Sequence, residues 1–197
     1  MSLRTNGKKM PELKKTIFIA FLVFLAGCGG RAGVYHDKNM DFGSIHTVAV
    51  LPFASLQGGG NASEMLRDDL MDSLLATGAV YVIPSGEVAH GIILSQMQDA
   101  RMPSTAEVKK FCEMEKADAV ITGSIKEYGQ VHSGTTSANM ISVSLQMIEG
   151  QTGRVVWSAD STLGGITIMD RLFGGGAEPM NTIAQKAVND LIKKLFM

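Results

Sequence analysis

The first 28 residues decide how much of this 197-residue chain is available to fold. An apolar run, Ile17-Phe18-Ile19-Ala20-Phe21-Leu22-Val23-Phe24, follows Lys14 and Lys15 and runs into Leu25-Ala26-Gly27-Cys28. A basic start, a short apolar middle and small residues at a cut site describe an export signal. The stretch from Ile17 to Ala26 is ten residues, and a helical membrane span needs about 20. The pattern therefore reads as a cleaved segment and not as an anchor. Met10 is an alternative start, since Met10 to Gly27 makes a complete signal by itself.

The cut site Leu25-Ala26-Gly27-Cys28 resembles the lipobox of bacterial lipoproteins. That resemblance implies lipidation of Cys28, by a diacylglycerol and an N-acyl chain, and an address outside the cytoplasm. No other cofactor and no metal is expected. More than one acyl chain gives stable anchoring where one is marginal. The expected organisation is a signal peptide at 1–27, the lipidated cysteine and a flexible tether at 28–44, and a periplasmic domain at 45–197. Fully extended, the glycine-rich stretch 29–43 reaches roughly 50 Å.

Removing the signal changes the charge balance. Arg4, Lys8, Lys9, Lys14 and Lys15 against Glu12 leave +4 in residues 1–27, so the −1 of the whole chain becomes −5 for the remainder. A mildly acidic body lacks the basic footprint of nucleic-acid binding and a polybasic grip on anionic lipid. Two cysteines are present, Cys28 and Cys112. With Cys28 acylated no intramolecular disulfide can form. Cys112, beside Phe111 in a helical pattern, reads as a small buried thiol.

The periodicities predict a mixed sheet packed by helices. Thr47 to Phe53 is a near-continuous apolar run, as in a strand buried on both faces. Leu66, Leu70, Leu74, Met71 and Leu75 make a helical stripe over about 62–76, with Asn61 or Ser63 as cap and Gly78 as stop. A strand at 79–83 is stopped by Pro84, and a helix runs from Ser85 through Met97. Ser104 and Glu107 have capping-box spacing ahead of a helix to about Glu115. A strand follows from Asp118 to Tyr128. The alternating run 140–148, the turn Gln151-Thr152-Gly153-Arg154 and Val155 to Ala159 form a hairpin. Glu178 to Phe196 is the last helix. The order β-α-β-α-α-β-β-β-α places crossovers early and antiparallel pairing late.

Sites for chemistry are few. Gly58-Gly59-Gly60 precedes a helix, but no Lys-Ser or Lys-Thr follows and Asp68 and Asp69 would repel phosphate, so a turn is expected. His36, His46, His90 and His132 have no second ligand at metal spacing. Two segments stand out. One is the polar loop expected at 130–139. The other is the glycine-bracketed apolar stretch from Leu163 to Gly176, which reads either as a strand end with a loop tucked on the core or as a contact surface, with Ile166, Ile168, Met169, Leu172 and Phe173 as candidate contacts to a partner or bilayer.

Val48 to Phe53, Ala117 to Ser124 and Val143 to Trp157, in that order behind the lipobox, resemble the CsgG/LpoB-like superfamily of bacterial envelope lipoproteins, of the curli-secretion and penicillin-binding-protein-activator types. The resemblance covers roughly 45–195. It implies an α/β domain of the anticodon-binding or TolB-N-terminal kind. It also implies a non-enzymatic role: binding envelope proteins, or self-oligomerising, at the periplasmic face of the outer membrane. The curli-type channel inserts two long hairpins per subunit, which would fall between Tyr128 and Met140 and between Ser158 and Pro179. A membrane hairpin needs about 20 residues plus a turn. The first insertion is near ten residues and the second is glycine-rich, which favours an adaptor over a pore. The alternatives are an oligomeric secretion-channel subunit and a small-ligand or nucleotide-binding domain.

Overall fold

The computed structural model describes residues 33–56, 61–133, 136–165 and 178–197, all within the unit Ala32–Met197. One place in from an edge of its sheet, β2 (Thr47–Val50) runs parallel to two later strands, one on each side. Val48 and Val50 face one layer, Ala49 and Leu51 the other, and all four are fully buried. This explains the unbroken apolar run, since neither face of β2 meets water. Pro52 has no N–H to donate, and the ladder lapses there. The chain rejoins the sheet as the two-residue β3 (Ala54–Ser55). β1 (Val34–His36) precedes them at an edge.

Four helices follow from the expected periodicities. Helix α1 (Ala62–Thr77) buries Leu66, Leu70, Met71 and Leu74, and ends where Gly78 adopts the left-handed conformation at φ 63°. Asn61 occupies its N-cap position without a side-chain cap bond. After β4 (Tyr81–Val82) comes α2 (Ser85–Ser95), which stops at the left-handed Gln96 and not at Met97. Helix α3 (Thr105–Glu115) begins with the expected Ser104–Glu107 capping box, both halves of which form. Strands β5 (Ala119–Ser133), β6 (Thr136–Glu149) and β7 (Val155–Gly164) make an antiparallel meander. Helix α4 (Met180–Leu195) closes the chain.

The strand order is β1-β7-β6-β5-β2-β4, with β3 beside β5 off that path. The fold is thus the expected mixed parallel and antiparallel α/β sheet. Helices α1 and α4 cover one face over Ile121, Leu145 and Trp157. Helices α2 and α3 cover the other, over Leu51 and Val120, and bury Val88, Val108 and Phe111.

Three expectations need correction. Residues 130–133 and 136–139 are not loop. β5 and β6 pair on through Gln130↔Asn139 to Ser133↔Thr136, so these polar stretches form a β-ribbon. Beyond Met140, which pairs Gly164, β6 has no second neighbour strand among the described residues. The tether expected at 28–44 is also partly built into the domain. β1 pairs β7 at Val34↔Ala159 to His36↔Trp157, Asp37 donates its N–H to the Val156 carbonyl at 2.8 Å, and a 3-10 turn follows at Phe42–Ser44. A three-residue edge strand has no signal of its own, because its hydrogen-bond partners lie far along the chain. The element order accordingly gains β1 and β3 over the expected series.

Candidate functional site

The lipobox residues Leu25, Ala26 and Gly27, the lipidation candidate Cys28 and the turn Gly58-Gly59-Gly60 lie outside the described residues. So do the candidate contacts Ile166, Ile168, Met169, Leu172 and Phe173. The described residues on either side of that contact segment are informative. The Gly165 N–H donates to the Asn139 carbonyl at 2.9 Å. The Asn139 side-chain Nδ2 donates to the Glu178 carbonyl at 2.8 Å. One residue of β6 thus holds the chain at both ends of the segment, beside the ribbon of β5 and β6. Gly164 and Gly165 have φ of +84° and +90°. A Cβ on Gly164 would lie 2.1 Å from the Asn139 carbonyl oxygen, so only glycine fits.

The second feature is the face of β5–β7 turned away from α4. Pleating sends Ile141, Val143, Leu145 and Met147 of β6 into the core, and Ser142, Ser144 and Gln146 to the opposite side. Lys126 Nζ meets Asp160 Oδ1 at 2.7 Å, with both side chains about half exposed. Ser144 donates to the same Asp160 oxygen, and the Ser142 and Thr162 hydroxyls are 2.8 Å apart. The Lys126 bond, then the Ser144 bond, holds the Asp160 carboxyl below its ordinary range against some desolvation. Leu56 and Met102, both over 70 % exposed, line the adjoining cleft with Thr122, Ser124, Ser144 and Gln146. This is a polar, hydrogen-bonding sheet surface with an apolar border. It can hold a protein surface.

The other chemistry-bearing residues have structural positions. Cys112 is buried against Gly150, and burial pushes its thiol up to about 12, with Asp118 adding to the shift. It is inert at neutral pH, as expected of a packing thiol. His36 Nε2 lies 3.5 Å from the Leu195 carbonyl, and its ring stands edge-on to Phe42. Among the described residues no group of His, Cys, Asp and Glu is placed to hold a metal ion. Arg67 donates its Nε–H to the Val50 carbonyl at 2.9 Å, and burial lowers its pKa.

Sequence reasoning found the alternation in β6 but did not assign its polar side a role. The Lys126–Asp160 pair, 34 positions apart, leaves no local signal. Asn139 was visible only as a polar residue in an expected loop.

Comparison with known proteins agrees with this architecture. The chain resembles a PelC dodecamer from Paraburkholderia phytofirmans (TM-score 0.56, 17% identity, 84% of this chain and 98% of that one). It resembles lipoprotein GNA1162 from Neisseria meningitidis (TM-score 0.53, 16% identity, 77% and 98%). It also resembles the LpoB C-terminal domain from Salmonella enterica (TM-score 0.50, 16% identity, 64% and 87%). At these identities the likeness is one of fold. It supports the LpoB side of the resemblance seen in the sequence and gives no support to the curli-secretion side. No curated protein sequence matches the chain. The model of the family described as “Putative lipoprotein GNA1162-like” matches residues 54–191. That span takes in every element from β3 to most of α4, and the chain belongs to this GNA1162-like lipoprotein family.

Proposed function

We propose that Cys28 is acylated and holds the chain on the periplasmic face of the outer membrane, where the domain binds envelope proteins and catalyses no reaction. Family membership supports the lipoprotein part. The observation that carries the binding part is the open face of β5–β7. It bears Lys126, Asp160, Ser142, Ser144 and Gln146, bordered by exposed Leu56 and Met102. Protein interfaces combine such polar groups with a few exposed apolar anchors. Ile166, Ile168, Met169, Leu172 and Phe173, in the chain between Gly165 and Glu178, supply further apolar contact to a partner or the bilayer.

Two experiments test the proposal. Cys28→Ala should move the chain from the membrane to the soluble fraction, and unchanged fractionation refutes the anchor. A photo-cross-linker at Gln146 should capture a discrete envelope protein in intact cells. The same cross-linker at Glu113, on exposed α3, should not. Equal yields at both positions refute the partner face.

A second reading makes the partner another copy of the chain, because one structure of similar fold is a dodecamer. Light scattering decides it, since an assembly has a mass several times 21.0 kDa. A channel subunit has less behind it. The overhang of the β5–β6 ribbon, from Gln130↔Asn139 to Ser133↔Thr136, is four residue pairs, against about 9–11 residues for a membrane strand.

A further inference from the structure

A groove opens at the end of the sheet opposite the β5–β6 ribbon, between the segment after β1 and the last turns of α1 and α4. Its volume is about 660 Å³, inside the range of roughly 300–1,000 Å³ typical of small-molecule sites. The floor is Val48, Leu74, Ile45 and Met147, all buried. Met40, Phe42, Val80 and Leu195 form half-buried walls. Concave sites with an apolar floor and a few polar groups at the rim are the usual form of a small-molecule site. The charges at the mouth are unequal in reach. The Asp37 carboxylate is turned to the Arg154 guanidinium at 3.2 Å and to Asn39. Lys38, also at the mouth, is exposed and in no ion pair among the described residues.

We propose that this groove binds one aliphatic chain that ends in a carboxylate, with the methylenes on the Val48–Leu74 floor and the acid at Lys38. The apolar floor suits the methylenes of a flexible chain, and the exposed Lys38 ammonium, in no ion pair among the described residues, suits an anionic head. The site is distinct from the partner face of β5–β7 and does not depend on acylation of Cys28.

The test uses the full chain held in amphipol, with cis-parinaric acid as fluorescent probe and a diazirine-bearing palmitic acid as photo-cross-linker. Saturable one-to-one binding is expected, with label on the peptides that contain Met40, Phe42 and Leu195. Val80→Trp, which fills the slot, should weaken the probe at least about tenfold with an unchanged circular dichroism spectrum. Lys38→Glu should weaken the acid about fivefold or more and leave binding of dodecanol unchanged, since only the charge is reversed. Non-saturable binding, or label spread over peptides away from the groove, overturns the proposal. Equal weakening of acid and alcohol by Lys38→Glu overturns the placement of the head. If Val80→Trp does not fold, the label map on the unaltered chain decides by itself.

Discussion

Gly164 shows how one backbone position can position a surface. Its φ of +84° and the 2.1 Å approach of a would-be Cβ to the Asn139 carbonyl leave no room for a side chain. Gly164→Ala should therefore lower the unfolding free energy by about 1–3 kcal/mol in a denaturant titration, and should speed amide exchange at Gly165. At the start of α3, Glu107 accepts from the Gln98 N–H, the Ser104 hydroxyl and the Ser104 N–H, which hold its carboxyl down at about 2. A carboxyl depressed on folding contributes stability that is fully present above its ordinary 4.5 and is lost as pH falls through about 2. Carbon NMR of the Glu107 carboxyl should show that low midpoint, and Ser104→Ala should cost about 1 kcal/mol and raise it. Cys112, with its thiol at about 12, should resist maleimide at pH 7.5 until the chain is unfolded, as mass spectrometry of its peptide would show.

Among the elements, α4 is docked by specific bonds as well as by its apolar face. Ser161 Oγ and Lys194 Nζ both donate to Asp190 Oδ2, at 2.7 and 2.6 Å. Lys194 Nζ also reaches the Asp160 carbonyl, and Trp157 Nε1–H donates to the Lys194 carbonyl. Burial disfavours charge on Asp190, but the Lys194 and Ser161 bonds outweigh it and hold the carboxyl below its usual range. Asp190→Ala strips a buried hydroxyl and a mostly buried ammonium of their partner, and should destabilise the fold by about 1–3 kcal/mol in thermal or denaturant unfolding. The apolar stripe of α4 was legible in the sequence because Ile183, Ala184, Ala187, Val188 and Leu191 recur at helical spacing. The Ser161–Asp190–Lys194 cluster was not, since Ser161 comes from β7. The same divide runs through the strands. β2 announced itself by its apolar run. The outer ends of β5 and β6, made of Gln, His, Ser, Thr and Asn, looked like a loop, because their pairing with each other and not their composition makes them strands.

At the scale of the whole molecule, the sheet is covered by α1 and α4 on one face and only partly by α2 and α3 on the other. The part that no described helix covers is the candidate partner face. Periodicity could forecast which residues alternate, but the extent of helix cover depends on where crossovers land, and that is a property of topology. β1 shows the same dependence, because it takes its structure from β7. The ion pair of Arg154 with Asp37, whose side chain is 7% exposed, closes the end of β1. Arg154→Ala should leave that carboxylate unpaired and raise amide exchange over Val34–His36 at least about tenfold, with the rest of the sheet unchanged.

The double grip of Asn139 on Gly165 and Glu178 has a practical corollary. Twelve positions, 166–177, separate those two residues, and Asn139 bonds the chain on either side of them. Doubling such a span costs only about 0.6 kcal/mol in closure entropy. An epitope tag or a fluorescent reporter spliced there should leave the scaffold's melting temperature nearly unaltered, which makes this stretch a natural port for engineering.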